Sequence, residues 1–268
     1  MSPRMASKVT GAAKVAEMLV NAGADVDATA EVYGGKSTTL GLVATSVHPE
    51  RAGVQFELME LLLHHGAVVD AGGDGDRGIV NLCLANGRRP AAEFLAKRGA
   101  RLDLEAAAGL GALETVKSFF YADGGLIPNA TKTQMERGFL WAAEYGRNPV
   151  IEFLLQRGVD VETQAGTGLT ALHWAVVGGQ METVQLLIAR GASLEAKNVY
   201  GGDALGQALW SAVNVDPALD YVSIIETLIA DGAIVRDGSI SWLQQQETGP
   251  SAVKQRVADL LRRHGAKS

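Results

Sequence analysis

A glycine recurs along the chain at intervals close to 33 residues, and a large apolar side chain stands four positions before each one. The eight glycines are Gly23, Gly66, Gly99, Gly124, Gly158, Gly191, Gly232 and Gly265. The apolar residues are Leu19, Leu62, Leu95, Phe120, Leu154, Leu187, Leu228 and Leu261. Glycine readily adopts the left-handed conformation that closes a helix. The pattern therefore predicts an internal repeat whose units each end with a short helix stopped by glycine.

A second, alanine-rich helix is predicted upstream of most of these terminal helices. The segments Ala171–Ala175 and Phe139–Ala143 are examples, and their small side chains let neighbouring helices approach closely. The composition agrees, because 47% of the residues are hydrophobic but only 6% are aromatic. One helix pair of this length cannot bury enough apolar surface to offset its loss of conformational entropy. The pairs must therefore stack side by side.

Residues 165–197 carry the clearest repeat. They contain Thr170-Ala171-Leu172-His173-Trp174-Ala175 and end in Ile188-Ala189-Arg190-Gly191-Ala192-Ser193-Leu194-Glu195-Ala196-Lys197. Without a gap, this stretch is similar to the 33-residue unit of the ankyrin repeat family, which begins Thr-Pro-Leu-His. Alanine replaces the usual proline, and the threonine remains to cap the helix. The histidine of this motif is expected to spend its ring nitrogens on the adjoining turn.

The resemblance extends from about Gly11 to His264 and implies an all-α fold. We expect one ankyrin-repeat solenoid of about seven to eight helix-pair units with short hairpin fingers. The expected divisions are a half repeat or cap at 1–27, repeats at 28–70, 71–103, 104–128, 129–162, 163–195 and 196–236, and a C-terminal cap at 237–268.

Two intervals between glycines are eight to ten residues too long. The extra pieces, at 45–55 and 211–223, fall between the predicted inner and outer helices, and each follows a Tyr-Gly-Gly sequence, at Tyr33–Gly35 and Tyr200–Gly202. The spacing of these two sequences suggests a longer-range duplication with two similar protruding loops. The plainer interpretation is that both are tolerated surface insertions.

The interval between Gly99 and Gly124 is short, at 25 residues. Asp103 is expected to cap a helix over Leu104–Leu110 directly, without room for a hairpin finger. We expect a gap or a change of curvature in the groove at this point. Residues 1–10 are too few for a full inner helix, so either a short cap forms or upstream sequence is missing.

Few residues suggest chemistry. The segment Ala30–Ser37 ends like a phosphate-binding loop but lacks its first glycine. Asp70–Asp76 has the composition of a calcium loop without the glutamate that completes one. His48, two residues before Glu50, is weak evidence for acid–base work. Cys83 is expected to be a buried packing residue. We therefore predict no catalytic residue, no metal site and no cofactor.

The charge and the single cysteine restrict the partners and the location. The formal net charge is −6, from 24 basic and 30 acidic residues, and no basic stripe offsets it, so nucleic-acid binding is not expected. No window of about 18 apolar residues predicts a membrane span. One cysteine cannot form an internal disulfide, and no basic start precedes an apolar run at the N-terminus. We expect a cytoplasmic monomer.

The resemblance implies that fingers and inner-helix ends form a concave surface that binds a partner. Trp141 and Trp174, equivalent sites 33 residues apart, are expected to fill the core between units, whereas Trp210 lies three residues later in its unit and is expected to face the partner. The residues expected to contact the partner are Asp74, Arg77, Asn86, Gln134, Glu136, Glu144, Tyr145, Thr167, Leu169, Val177, Arg190, Lys197, Tyr200 and Trp210.

Three functions stay open at this point. The first is a non-enzymatic scaffold or adaptor that docks rigidly on a protein through this strip. The second is an enzyme or small-molecule binder whose pocket lies between the inserts 45–55 and 211–223. The third is the recognition arm of a longer polypeptide.

Overall fold

The computed structural model describes residues 11–32, 35–71 and 77–267. The helices follow one another in pairs, as the repeat predicts, and the described chain is mostly helical. It divides into two compact units, Met1–Ala106 and Ala107–Ser268, and the boundary falls within one helix. The predicted Tyr33 and Asp74, and the start of the predicted half repeat, lie outside the described residues.

In residues 11–32, 35–71 and 77–106, the first unit contains a single helix followed by two helix pairs. Its helices and strands are α1 (Ala12–Asn21), β1 (Thr29–Val32), β2 (Gly35–Thr38), α2 (Thr39–Thr45), α3 (Val47–Arg51), α4 (Gln55–His64), α5 (Ile79–Ala85) and α6 (Arg89–Lys97). The antiparallel hairpin β1–β2 pairs Thr29 with Thr38, so the segment that ends like a phosphate loop forms a finger instead. Leu40, Met59 and Leu95 are among the core residues that the pairs bury.

The helix α7 (Leu104–Leu110) crosses the boundary between the two units. One further helix and then four helix pairs follow it in the second unit. Its elements are α8 (Leu113–Ser118), α9 (Lys132–Glu144), α10 (Asn148–Gln156), β3 (Gln164–Ala165), β4 (Leu169–Thr170), α11 (Ala171–Val177), α12 (Met181–Ala189), α13 (Ala204–Asn214), α14 (Tyr221–Ala230), α15 (Ser239–Gln245) and α16 (Ser251–Arg263). Phe139, Leu172 and Ile224 are fully buried between these helices.

All eight recurring glycines have the left-handed backbone that the sequence predicts. Their φ angles lie between 87° at Gly158 and 102° at Gly232. In seven of the eight units, the residue after the glycine donates its N–H to the carbonyl of the apolar residue four positions before the glycine, as Ala192 does to Leu187 at 3.0 Å. This bond closes a Schellman turn. The prediction of glycine-stopped helices is confirmed.

The start of α11 confirms the roles predicted for Thr170 and His173. The Thr170 hydroxyl accepts the backbone N–H of His173, and the ring Nδ1 of His173 lies 2.8 Å from that hydroxyl oxygen. The other ring nitrogen, Nε2, lies 3.2 Å from the carbonyl oxygen of Gly202 in the next turn. His173 is fully buried, and this burial lowers its pKa. The histidine therefore holds two adjacent repeats together.

A row of carboxylates, which the sequence analysis missed, ties each repeat to the next. In four repeats, a carboxylate four residues after the repeat glycine accepts a backbone N–H from the next repeat. The donor lies two residues after the glycine of that next repeat, as Ser193 does when it donates to Glu162 at 2.7 Å. The other three pairs are Asp27 with Val68, Asp70 with Arg101, and Glu195 with Ile234. Asp103, in the same position, instead caps α7 at Ala106 N–H, 2.7 Å away, which confirms its predicted role.

The two inserts are more ordered than the protruding loops predicted for them. In the first, residues 47–51 form the short helix α3, and the Gln55 amide donates to the carbonyl of Val43 at 2.9 Å. In the second, α13 continues to Asn214, so it has 11 residues where α11 has seven. The Tyr221 hydroxyl then donates to the Val177 carbonyl at 2.8 Å. The first insert therefore packs within its own repeat, whereas the second contacts the preceding repeat.

Candidate partner-binding groove

An open cavity of about 950 Å³ lies in the second unit, where three successive inner helices and their fingers meet. Trp174 on α11, Trp210 on α13 and Trp242 on α15 line it together with Tyr200, and we call this surface the tryptophan groove. Its remaining walls combine polar residues and glycines with five aliphatic residues, Leu169, Val177, Leu205, Leu209 and Ile234.

The helix register explains why three indoles converge. Trp174 and Trp242 are each the fourth residue of their helices, and Trp210 is the seventh residue of α13. The difference of three residues is close to one helical turn, so the indoles lie on similar faces of successive helices. Trp242 was not recognised from the sequence, although its position in α15 matches that of Trp174 in α11.

The groove residues differ in exposure. Trp174 and Trp242 are half-buried, whereas Trp210 is 46% exposed. Tyr200 is 82% exposed at the tip of a turn in which its N–H donates to the Asn198 side chain at 3.0 Å. Trp174 was expected to be a core residue, but it is only half-buried and lines the groove.

The aromatic surface continues along α9. The Trp141 ring lies 6.1 Å from Trp174, inclined at 45°, and 6.1 Å from Tyr145, nearly parallel to it. Trp141 is half-buried, so its expected role as a core residue is only partly correct. The structure therefore brings the predicted Tyr145 to the end of an aromatic row that leads into the groove.

Glu144 lies beside this row with little access to solvent. Burial raises the pKa of its carboxyl group to about 7. Its Oε2 atom is buried without a hydrogen-bond partner among the described residues, as is the Nε1 atom of Trp174. Glu144 was expected to contact the partner; it is half-buried at the end of α9, and its backbone carbonyl lies close to Gly178.

One wall of the groove carries Arg236, which is paired with two carboxylates. The Arg236 guanidinium forms ion pairs with Glu195, at 2.6 Å, and with the nearly buried carboxylate of Asp203. Asp237 follows it in the chain and is exposed on the groove wall. The cation is therefore already neutralised, and the charged groups of this wall leave an excess of negative charge.

Comparison with known proteins decides the family. A family model described as three copies of the ankyrin repeat matches residues 104–198 and also residues 139–237. The chain belongs to the ankyrin repeat family. Proteins built from ankyrin repeats generally use them for protein–protein interaction. The predicted family is confirmed.

Curated relatives share the ankyrin repeats within much longer proteins. The ankyrin repeat and KH domain-containing protein mask-1 of Caenorhabditis elegans is 31% identical over 240 residues, which cover 87% of this chain and 8% of that protein. The ankyrin repeat and SAM domain-containing protein 6 of Danio rerio is 34% identical over 90 residues, or 33% and 12% of the two chains. The palmitoyltransferase AKR1 of Lachancea kluyveri is 32% identical over 83 residues, or 31% and 11%.

Five of the predicted contact residues line the groove: Thr167, Leu169, Val177, Tyr200 and Trp210. Lys197 lies at its edge, where its Nζ atom donates to the Gly201 carbonyl at 3.2 Å. Arg190 lies instead at the end of the outer helix α12 and pairs with Glu152 on α10 at 2.6 Å. Arg190 does not line the tryptophan groove, and its contact with a partner stays a prediction.

Two predicted residues on α9 have local roles. The Gln134 side chain accepts the N–H of Thr131 at 3.0 Å and so completes the capping box that starts this helix. Glu136 lies one turn along and pairs with Lys132 at 3.4 Å. Neither residue lines the tryptophan groove.

In the first ankyrin unit, Arg77 pairs with the buried carboxylate of Glu105 at 2.6 Å. The Asn86 side chain donates to the Leu82 carbonyl at 2.8 Å at the end of α5. Asn81, which replaces the repeat histidine, donates to Asp103 at 2.8 Å. Cys83 is fully buried, as predicted, and burial raises the pKa of its thiol to about 12.

The weak candidates for chemistry lack support from their surroundings. The Glu50 carboxylate is ion-paired with Arg88 rather than with the exposed His48. Within residues 11–32, 35–71 and 77–267, no group of three or more histidine, cysteine or carboxylate side chains could hold a metal ion. In the same ranges, no helix combines the length and hydrophobicity needed to span a bilayer.

Proposed function

We propose that this chain is a non-catalytic interaction module that binds a protein partner through the tryptophan groove. The observation that carries the proposal is the exposure of Trp210 and Tyr200 on the wall of an apolar cavity of about 950 Å³. Exposed tryptophan and tyrosine rings that border an apolar pocket are typical anchors of protein interfaces. Trp210 is held on the helix α13, and the turn that carries Tyr200 is braced by the Asn198 side chain, so little reorganisation is needed on binding.

The wider array extends the same proposal. In this proposal the cap at 1–27, the repeats and the cap at 237–268 form one interaction array. The array acts as a monomer in the cytoplasm and binds neither nucleic acid nor membranes. The net charge of −6 supports the absence of phosphate-backbone binding. The row of carboxylates that joins successive repeats supports a stacked array within each unit.

An affinity-capture experiment tests the proposal. The parent and the variants Trp210→Ala and Tyr200→Ala are used as bait, and captured proteins are identified by mass spectrometry. Tyr121→Ala is the matched control, because Tyr121 is a 51% exposed aromatic residue that does not line the groove. We expect both groove variants to lose partners that the parent and the control retain. Equal capture by all four proteins would show that the groove does not bind the partner.

The alternative of an enzyme or small-molecule binder formed by the two inserts receives no specific support. Its proposed base, His48, lacks a free carboxylate, since Glu50 pairs with Arg88. The residues 211–214 of the second insert extend α13. The match to a palmitoyltransferase covers 83 residues and 11% of that protein, so it supports the shared repeats rather than the activity in its name.

A further inference from the structure

The charges around the tryptophan groove restrict which segment of a partner can enter it. Arg236 is the one cationic side chain among the residues that line the groove. Its guanidinium forms ion pairs with Glu195 and Asp203. Asp237 adds a third carboxylate, of which Oδ1 accepts the Lys267 N–H at 3.3 Å. Among the residues that line the groove itself, the two carboxylates Asp203 and Asp237 outnumber the one cation, Arg236.

The excess negative charge lies beside indole rings. The faces of tryptophan side chains attract a guanidinium or an ammonium ion within about 6 Å, and the attraction grows where water is excluded. Trp210 and Trp242 line the same cavity as Asp237, so a partner cation placed there meets both a carboxylate and aromatic faces. The same arrangement repels a carboxylate or a phosphate group.

The rest of the groove favours apolar anchors. Leu169 and Val177 line it with Trp174 and are half-buried, and the nearly buried Leu205 and Leu209 also border it. Three successive inner helices border the groove, and helices that pack together lie about 8–10 Å apart. An extended peptide advances about 3.3 Å per residue, so on the order of six residues cross the groove.

We infer that the partner presents an extended segment of about six residues in which a cationic side chain neighbours a bulky apolar one. This inference rests on the proposed function, because it names the chemistry of the partner for the same groove. The apolar side chain packs against Trp174 and the leucines, and the cation lies between Asp237 and the exposed indole of Trp210. Charge complementarity selects this segment over an acidic one.

Three fluorescein-labelled hexapeptides test the inference by fluorescence anisotropy. The first alternates leucine and arginine, the second alternates leucine and glutamate, and the third alternates serine and arginine. We expect the leucine–arginine peptide to bind at least tenfold more tightly than either of the others, because only it supplies both the apolar and the cationic groups. Equal binding of the leucine–glutamate peptide would overturn the inference, and so would equal binding of the serine–arginine peptide.

Two variants separate the charge from the aromatic contribution. Asp237→Asn is expected to weaken binding of the leucine–arginine peptide severalfold and to reduce its sensitivity to salt, because one attractive charge is lost. Trp210→Ala is expected to weaken it about tenfold, and circular dichroism verifies that the variant remains folded. Glu226→Gln, which removes an exposed charge from α14, is the matched control and leaves binding unchanged. Identical affinities for the parent, Asp237→Asn and Trp210→Ala contradict the assignment.

The outcome is distinguishable from failure of the proposed function. If Trp210→Ala loses its captured partners but the parent does not prefer the leucine–arginine peptide, the groove binds a protein and the inferred chemistry is wrong. If capture and peptide binding are both insensitive to Trp210, both proposals fail.

Discussion

Replacement of Glu144 by glutamine is expected to stabilise the protein, and increasingly so as the pH rises. Glu144 is the last residue of α9, and its Oε2 atom is buried without a hydrogen-bond partner among the described residues. Burial in these surroundings raises its pKa from 4.5 to about 7, because the charged form loses hydration without gaining a partner. Glutamine has nearly the same shape and carries no charge at any pH.

The size and sign of the effect follow from the two pKa values. Between pH 4.5 and 7 the unfolded chain loses the Glu144 proton while the folded chain keeps it, so the free energy of unfolding falls as the pH rises. A difference of about 2.5 units corresponds to about 3 kcal/mol at 1.36 kcal/mol per unit. Above pH 7 both states are ionised and the penalty is constant. Glu144→Gln escapes this fall completely.

Urea unfolding at pH 5 and pH 8, followed by tryptophan fluorescence, measures the effect. All four tryptophans lie in the second unit, as does Glu144, so the signal reports on the relevant part of the chain. The advantage of Glu144→Gln over the parent is expected to be about 2–3 kcal/mol larger at pH 8 than at pH 5. Glu226→Gln, which removes an exposed carboxylate, controls for net charge. Parallel pH profiles for the parent and Glu144→Gln would refute the reasoning.

Three further predictions follow from contacts between repeats. Gly178→Ala places a methyl group against the Glu144 carbonyl oxygen and is expected to lower the free energy of unfolding by about 3 kcal/mol, measured by urea unfolding. Gly191 has open space around it at φ +88°, so Gly191→Ala is expected to lower the free energy of unfolding by only about 1 kcal/mol. The reverse order would contradict the packing at Gly178. Glu162→Ala removes a bond to the next repeat and lowers the free energy of unfolding by about 1 kcal/mol, so an unchanged urea midpoint counts against this bond. The Cys83 thiol, with its pKa raised to about 12, reacts with a thiol reagent only in denaturant, and rapid labelling of the folded protein would show that the burial is wrong.

The repeat pattern predicted the local structure well because its causes are local. A glycine four residues after a leucine is enough to stop a helix in a left-handed turn, and Thr170 before an alanine-rich segment is enough to start one. The buried Cys83 and the capping Asp103 were predicted for the same reason, since each occupies a fixed place in its unit. The Schellman turn found in seven of the eight repeats is therefore encoded within a few residues of its own glycine.

The candidate site was predicted less well because it depends on neighbours from other repeats. Tyr200 and Trp210 were assigned to the binding surface, and both line the groove. Trp174 was assigned to the core because its position is equivalent to that of Trp141, but its exposure depends on how far α13 covers it. Arg190 was assigned to the same surface, but it lies outside the groove at the end of α12, where it pairs with Glu152. The residues of one repeat do not show how much of a side chain the helices of a neighbouring repeat will cover.

The sequence by itself determined the helix ends, the pairing of helices and the family, because these follow from backbone conformation and apolar spacing within about 33 residues. Only the tertiary structure decided which side chains meet across repeats. The convergence of Trp174, Trp210 and Trp242, the packing of Gly178 against the Glu144 carbonyl and the pairing of Arg236 with two carboxylates each require residues about 30 or more positions apart to come together. Such contacts depend on the stacking of folded units, which no single repeat specifies.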